Sequence, residues 1–162
     1  MYLTAQGFTV LYSTQELAEA SRCDAQVLQA VLDEGDTSSF DPLLVAEAVE
    51  AVERADRILQ NASNRVDSHL RVRYQLPLPA EAVTANDLET RVADVARLQL
   101  WRYPGDEHRT RYNDAIAWLK DVSRGMVSLV GAVPGGGSGT EGATLGRVRT
   151  GQGKSQFDWS GY

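Results

Sequence analysis

Cysteine and histidine are scarce in this 162-residue chain: one cysteine, two histidines. A lone Cys23 excludes an intrachain disulfide and any thiolate metal site formed within one chain. His69 and His108 lie far apart in sequence without ligand spacing, so a zinc site is not expected, and neither histidine has the flanking pattern of a general base. No apolar run approaches the roughly 18 residues that a membrane helix needs. The amino-terminal stretch lacks a basic segment followed by an apolar cleavable one, so a secretory leader is not expected and a cytoplasm is the expected place of synthesis.

Positive charge is also in short supply. The net charge is −6 and the pI about 4.9, which argues against a protein whose main task is gripping nucleic acid through its phosphates. The distribution is uneven. From residue 134 onward Arg147, Arg149 and Lys154 face only Glu141 and Asp158, so the tail is mildly basic and the body holds about −7.

What is abundant is helical periodicity. "TVLYSTQELAEAS" predicts a first short helix after residue 13, capped by Ser13 or Thr14 with Leu17 and Ala20 inward. Asp41-Pro42 is a helix start, since the aspartate accepts from free amides while proline occupies a position that needs no donor. From there Val45, Ala48, Val49, Val52, Ala55, Leu59, Ala62, Val66 and Leu70 step by three and four, predicting a helix over 42–74, a spine of about 50 Å at 1.5 Å per residue. Glu50 with Arg54, Glu53 with Arg57 and Asp67 with Arg71 are spaced for ion pairs on its solvated face. Pro77 and Pro79 end the helix and force "LPLP" to be extended.

A third helix is expected from about residue 86 or 87 to 103, with Leu88, Val92, Val95, Ala96 and Leu100 inward. A fourth is expected over 106–124, with Tyr112, Ala115, Ile116 and Leu119 on one side and Gly125 as its stop. "MVSLVGAV" has the composition of a short strand. Beyond it the character changes: counting from Gly131, ten of the fourteen glycines fall within 131–161, and "PGGGSGTEG" has the composition of a linker that cannot fold alone. The expected fold class is therefore mainly α: a small helical bundle around one long helix, residues 1–133, with an extended glycine-rich arm, residues 134–162. The arm's candidate partner contacts are Arg147, Arg149, Lys154, Phe157, Trp159 and Tyr162.

No motif implies a cofactor or a catalytic centre. "GQGKS" imitates the end of a phosphate-binding loop, but Val148 stands where the leading glycine belongs and only seven residues follow Ser155. Arginine and aromatic residues do mix in "LRVRYQ" and "RYPGDEHRTRYN", which keeps a small helical DNA-binding or regulatory protein as the alternative function. The competing reading has Tyr74, Tyr103 and Tyr112 closing the ends of the bundle. An enzyme is not expected.

The stretch "LQNASNRVDSHLRVRYQLPLP" resembles the signature of Mu-like phage head-tail connector, or head-completion, proteins. Ala62-Ser63, Val66-Asp67-Ser68, His69-Leu70, Arg73-Tyr74 and Leu76-Pro77-Leu78 supply the family's pattern in order. "DVARLQLW" at 94–101 and "RYNDAIAWLKDVSRGMVSL" at 111–129, which opens with Arg111 and Tyr112, are similar to the family's following helices, and "MYLT" to its start. The dozen residues after that opening and "DEGDTSSF" depart from the pattern. The resemblance implies a virion adaptor in the neck between capsid and tail, forming a homo-oligomeric ring, commonly twelve-fold, beneath the portal protein. Tail or neck proteins would dock on it, and duplex DNA would pass through its lumen without tight binding. On that reading the arm orders only on assembly. Fully extended it would span on the order of 95 Å.

Overall fold

A computed structural model describes residues 1–135 of the chain. Among these the protein is all-helical: α1 (Ala5–Leu11), α2 (Thr14–Ser21), α3 (Ala25–Leu32), α4 (Pro42–Leu70), α5 (Ala80–Ala85), α6 (Leu88–Leu100) and α7 (Asp106–Arg124). The helix starts follow from local chemistry. Thr4, Ser13, Asp24 and Asp41 each turn a side-chain oxygen to a free amide of the first turn, and Pro42 opens α4 where its missing N–H costs nothing. Gly125 closes α7 in the left-handed conformation, φ 85°.

The spine, α4, is built on small residues in its first half and larger ones in its second. Ala48, Ala51 and Ala55 are buried there, followed by Leu59, Ala62, Ser63, Val66 and Leu70. The alanines leave room for α3, which packs on α4 and buries Val27, Leu28 and Leu32. Helix α6 packs on both α4 and α7, burying Leu88, Val92, Ala93, Val95, Ala96 and Leu100. Each fully buried Leu or Val contributes roughly 1.5–3 kcal/mol. Helices α4 and α7 run in the same direction: the Arg65 guanidinium lies 5.4 Å from the Tyr112 ring centre, and just past both carboxyl ends Arg73 abuts Gly125.

Several expectations are corrected. Helix α4 ends at Leu70 rather than residue 74, because Tyr74 leaves the helix to form an antiparallel bridge with Pro134. Val49 is 40% exposed, and Val45 and Val52 are only half-buried, so the apolar stripe is narrower than its periodicity suggests; Ala20 on α2 is half-buried too, beside the buried Ala18. The two helices α1 and α3 flank the one short helix expected near the amino terminus, and α5 follows directly on Pro79. Helix α6 stops at Leu100, not 103, and Tyr103 is 77% exposed, so it closes no end of the bundle. Among the described residues the three expected ion pairs of α4 do not form; Asp67 instead takes a hydrogen bond from Tyr2.

"MVSLVGAV" is not a strand, and its hydrogen bonds explain why. The Leu129 N–H donates to the Tyr74 hydroxyl at 2.8 Å. Asn86 grips Val130 from both sides, accepting from its N–H at 3.0 Å and donating to its carbonyl at 2.9 Å. Side chains satisfy this backbone, so no ladder is required.

Candidate functional site: the junction of the long helix and the carboxy-terminal arm

The residues singled out in "DSHLRVRYQLPLP" converge on one end of the bundle. Leu70 and Leu78 are buried, Leu76 is half-buried and Pro77 is exposed. Asp67, Pro77 and Leu78 line a cavity of about 330 Å³ together with Met1, Tyr2 and Val83, so the amino terminus, the end of α4 and the start of α5 meet there. The amino terminus is sewn to the spine by three contacts. The Tyr2 hydroxyl donates to Asp67, the Tyr2 N–H donates to Ser63 Oγ at 3.3 Å, and the Ala5 N–H donates to Asp56 at 2.7 Å. Ser63 is fully buried yet satisfied, since its hydroxyl also donates to the Leu59 carbonyl at 2.8 Å.

The same stretch holds the departing chain. Beyond the Tyr74 hydroxyl on Leu129, the Gln75 N–H donates to the Val133 carbonyl at 3.0 Å, and the Gly135 N–H to the Arg73 carbonyl at 2.7 Å. Arg73 presses on the end of α7: a Cβ at Gly125 would lie 2.5 Å from its Nη1. A guanidinium there complements the partial negative charge at a helix carboxyl end. These residues form a latch that fixes where the arm begins.

Arg111 and Tyr112 are not part of the latch. Arg111 is exposed on the second turn of α7 and donates to Glu107 at 3.0 Å, while Tyr112 is half-buried beneath Arg65. Arg147, Arg149, Lys154, Phe157, Trp159 and Tyr162 lie outside the described residues.

A second polar cluster, which the sequence pattern did not reveal, ties α2 to α6. Arg97 is 6% exposed; its Nε donates to Glu16 at 2.7 Å, and its guanidinium lies 4.2 Å from the Tyr12 ring centre. The Tyr12 hydroxyl donates to the buried Asp94 at 2.7 Å. The only available signal was the pairing of an acid and a base on the inward face of α6, within a run whose apolar spacing reads as core.

Both tyrosines at the amino-terminal region are held protonated. Burial, then the hydrogen bond to Asp94 and its charge, push the Tyr12 phenol up to about 12, against opposing pulls from Arg97 and Arg111. Burial followed by Asp67 raises Tyr2 in the same sense. A phenol whose folded value is raised contributes stability that is complete below its ordinary value of 10 and is lost as pH climbs from there toward about 12. Urea midpoints should therefore fall across that window, and Tyr12→Phe should flatten the fall; a midpoint independent of pH from 10 to 12 would contradict it.

The remaining candidates for chemistry are placed as follows. The His108 Nδ1 accepts from the Gly105 N–H at 3.2 Å and its ring lies 5.3 Å from that of Trp101, a helix-start role. His69 is half-buried on α4 with its pKa lowered by burial, then by Arg65 and Lys120. Burial raises the Cys23 thiol. Among the described residues no three His, Cys, Asp or Glu side chains are grouped to hold a metal, and no helix is long and apolar enough to cross a membrane.

Charge is unevenly spread among the segments. Residues 14–53 hold ten carboxylates and one base, Arg22. The carboxyl ends of α4 and α7 carry Arg71, Arg73, Lys120 and Arg124 beside the exposed Val72 and Met126. The chain beyond α7 leaves the bundle at the end that carries these bases, where the Arg73 carbonyl holds the Gly135 N–H.

The family model described as Bacteriophage Mu, Gp36 matches residues 2–145. No curated protein matches the chain.

Proposed function

Because this chain belongs to the Bacteriophage Mu Gp36 family, we propose that it is a structural protein of the virion neck: a head-tail connector subunit that assembles as a ring below the portal, passes the genome through its lumen and receives the tail. The observation that carries this reading is the latch. Asp67, Arg73 and Tyr74 are spent on holding the amino terminus and the root of the arm to a 29-residue helix. That use of side chains suits a rigid strut with a reaching arm, as an adaptor between portal and tail requires. The reading gives the chain no catalytic step, metal or cofactor.

A conduit for DNA should not hold it, since tight binding would slow both packaging and ejection. The net charge of −6 suits that demand. The bases at the carboxyl ends of α4 and α7 give the DNA-binding alternative its foothold, and a gel-shift titration separates the two. The isolated protein should give no shift of duplex DNA at physiological salt. Submicromolar binding that disappears on Arg71→Glu with Arg73→Glu would overturn the connector reading in favour of the alternative.

A further inference from the structure

The carboxyl ends of α2 and α6 meet beside the middle of α4 and leave a cavity of about 330 Å³ there. Its charged lining is entirely basic: Arg22 just past α2, Arg54 on α4 and Arg102 just past α6. Ile58 and Leu100 supply apolar wall. Among the described residues no ion pair joins any of the three arginines to a carboxylate, in a chain whose net charge is −6. The adjoining groove, which shares Arg22 and Arg54, does carry Glu47, Glu50 and Glu53. These acids stand unpaired to either arginine, and pairs between exposed side chains hold little energy in any case.

Two further features mark the place. Arg22 stands in the left-handed conformation, φ 62°, at a helix cap where glycine is favoured, so backbone preference does not account for an arginine there. Ser21 lines the same cavity, and its hydroxyl is enclosed without a hydrogen-bond partner among the described residues, an exception that calls for one.

We infer that this cavity binds an oxyanion of two negative charges, inorganic phosphate or the phosphate group of a monoester. Charge sets the class. Three guanidiniums bring three positive charges, and the carboxyl ends of α2 and α6 return about half a negative charge each, leaving about +2. A dianion balances that, whereas a phosphate within a DNA backbone, with a single charge, balances half. Guanidiniums suit phosphate because two parallel N–H groups of one arginine meet two of its oxygens. The volume is at the lower end of small-ligand pockets, which leaves room for an organic part against Ile58 and Leu100. The inference does not depend on the connector reading, because the full-length protein alone tests it.

At about pH 7.5, where phosphate is largely a dianion, and at constant ionic strength, inorganic phosphate should shift the backbone amide resonances of residues 21–23, 54 and 100–102 in a saturable way. Chloride should not. Arg22→Gly places the favoured residue at a left-handed position, so its urea midpoint should hold or rise while phosphate affinity falls on the order of tenfold. Arg102→Gln should lower affinity to a similar degree, and dimethyl phosphate, a monoanion, should bind the parent about tenfold more weakly than phosphate does. Phenyl phosphate separates the two sources: binding tighter than inorganic phosphate assigns the site to a monoester, and equal or weaker binding assigns it to the free ion. Shifts that never saturate, that chloride reproduces, that keep their affinity in both variants or that dimethyl phosphate matches would overturn the inference.

Discussion

Replacing Tyr74 with alanine should destabilise the protein by about 3–5 kcal/mol, the range for removing a buried aromatic ring from a packed core. Tyr74 is 6% exposed, and its hydroxyl is the acceptor for the buried Leu129 amide. Two losses add in the alanine variant: the ring's packing and the partner of an N–H that water cannot reach. Tyr74→Phe isolates the second loss and should cost about 1–3 kcal/mol, the penalty for a buried donor left unmade. Urea titration with unchanged m separates stability from altered compactness. Amide exchange adds the specific readout: the Leu129, Gln75 and Gly135 amides should exchange faster in both variants, because all three belong to the latch. A phenylalanine variant as stable as the parent, with those amides still protected, would show that the latch does not hold the arm's root.

Arg97→Ala should rank next, at about 3 kcal/mol or more. The side chain is 8% exposed and Glu16, its partner, 18%, so removing the guanidinium strands a carboxylate with little water around it. It also removes the cation above the Tyr12 ring and the link between α2 and α6. The double replacement Arg97→Met with Glu16→Leu should recover most of the loss, since an apolar pair of similar volume avoids the desolvation cost of both charges. Thermal unfolding of the three variants checks this. If the double variant were no more stable than Arg97→Ala, the loss would come from packing around the arginine rather than from the stranded carboxylate.

The parts of the fold that depend on neighbours in sequence were legible. Asp41-Pro42 set the start of α4, Gly125 the end of α7, and the inward positions of α6 followed from spacing alone. The helices α1, α3 and α5 escaped because each spans eight residues or fewer, too short for periodicity to stand out; α2, equally short, was found through the Ser13 or Thr14 cap that precedes its apolar positions. The end of α4 was misplaced for a different reason. Residues 71–74 carry no helix breaker of their own, and the prolines further on act only on residues 75 and 76. What stops the helix at Leu70 is pairing of Arg73, Tyr74 and Gln75 with residues 133–135, some sixty positions away, and no local pattern encodes it.

The site shows the same division. "RVRYQLPLP" stood out through a resemblance, while the use of each residue became clear only when the chain beyond α7 was placed against it. Asp67, which takes the hydrogen bond from Tyr2, looked like an ordinary member of a helical charge pattern, paired by spacing with Arg71. Tyr2 and Tyr12 carried no signal, because a tyrosine that donates to a distant carboxylate reads like any other aromatic residue. Val45 and Val49 read as the beginning of a buried stripe, yet Val45 is half-buried and Val49 stands exposed.

The central claim is that this family member is an adaptor organised by its neighbours in the phage neck. Light scattering tests it most directly: the mass of the purified full-length protein is measured alone and again after mixing with portal protein from the same phage. The connector account predicts a stoichiometric ring on the portal, formed from a lighter species in solution or from a ring already present. A protein whose mass stays that of the free species at every ratio of portal, with the portal peak unchanged, would contradict it.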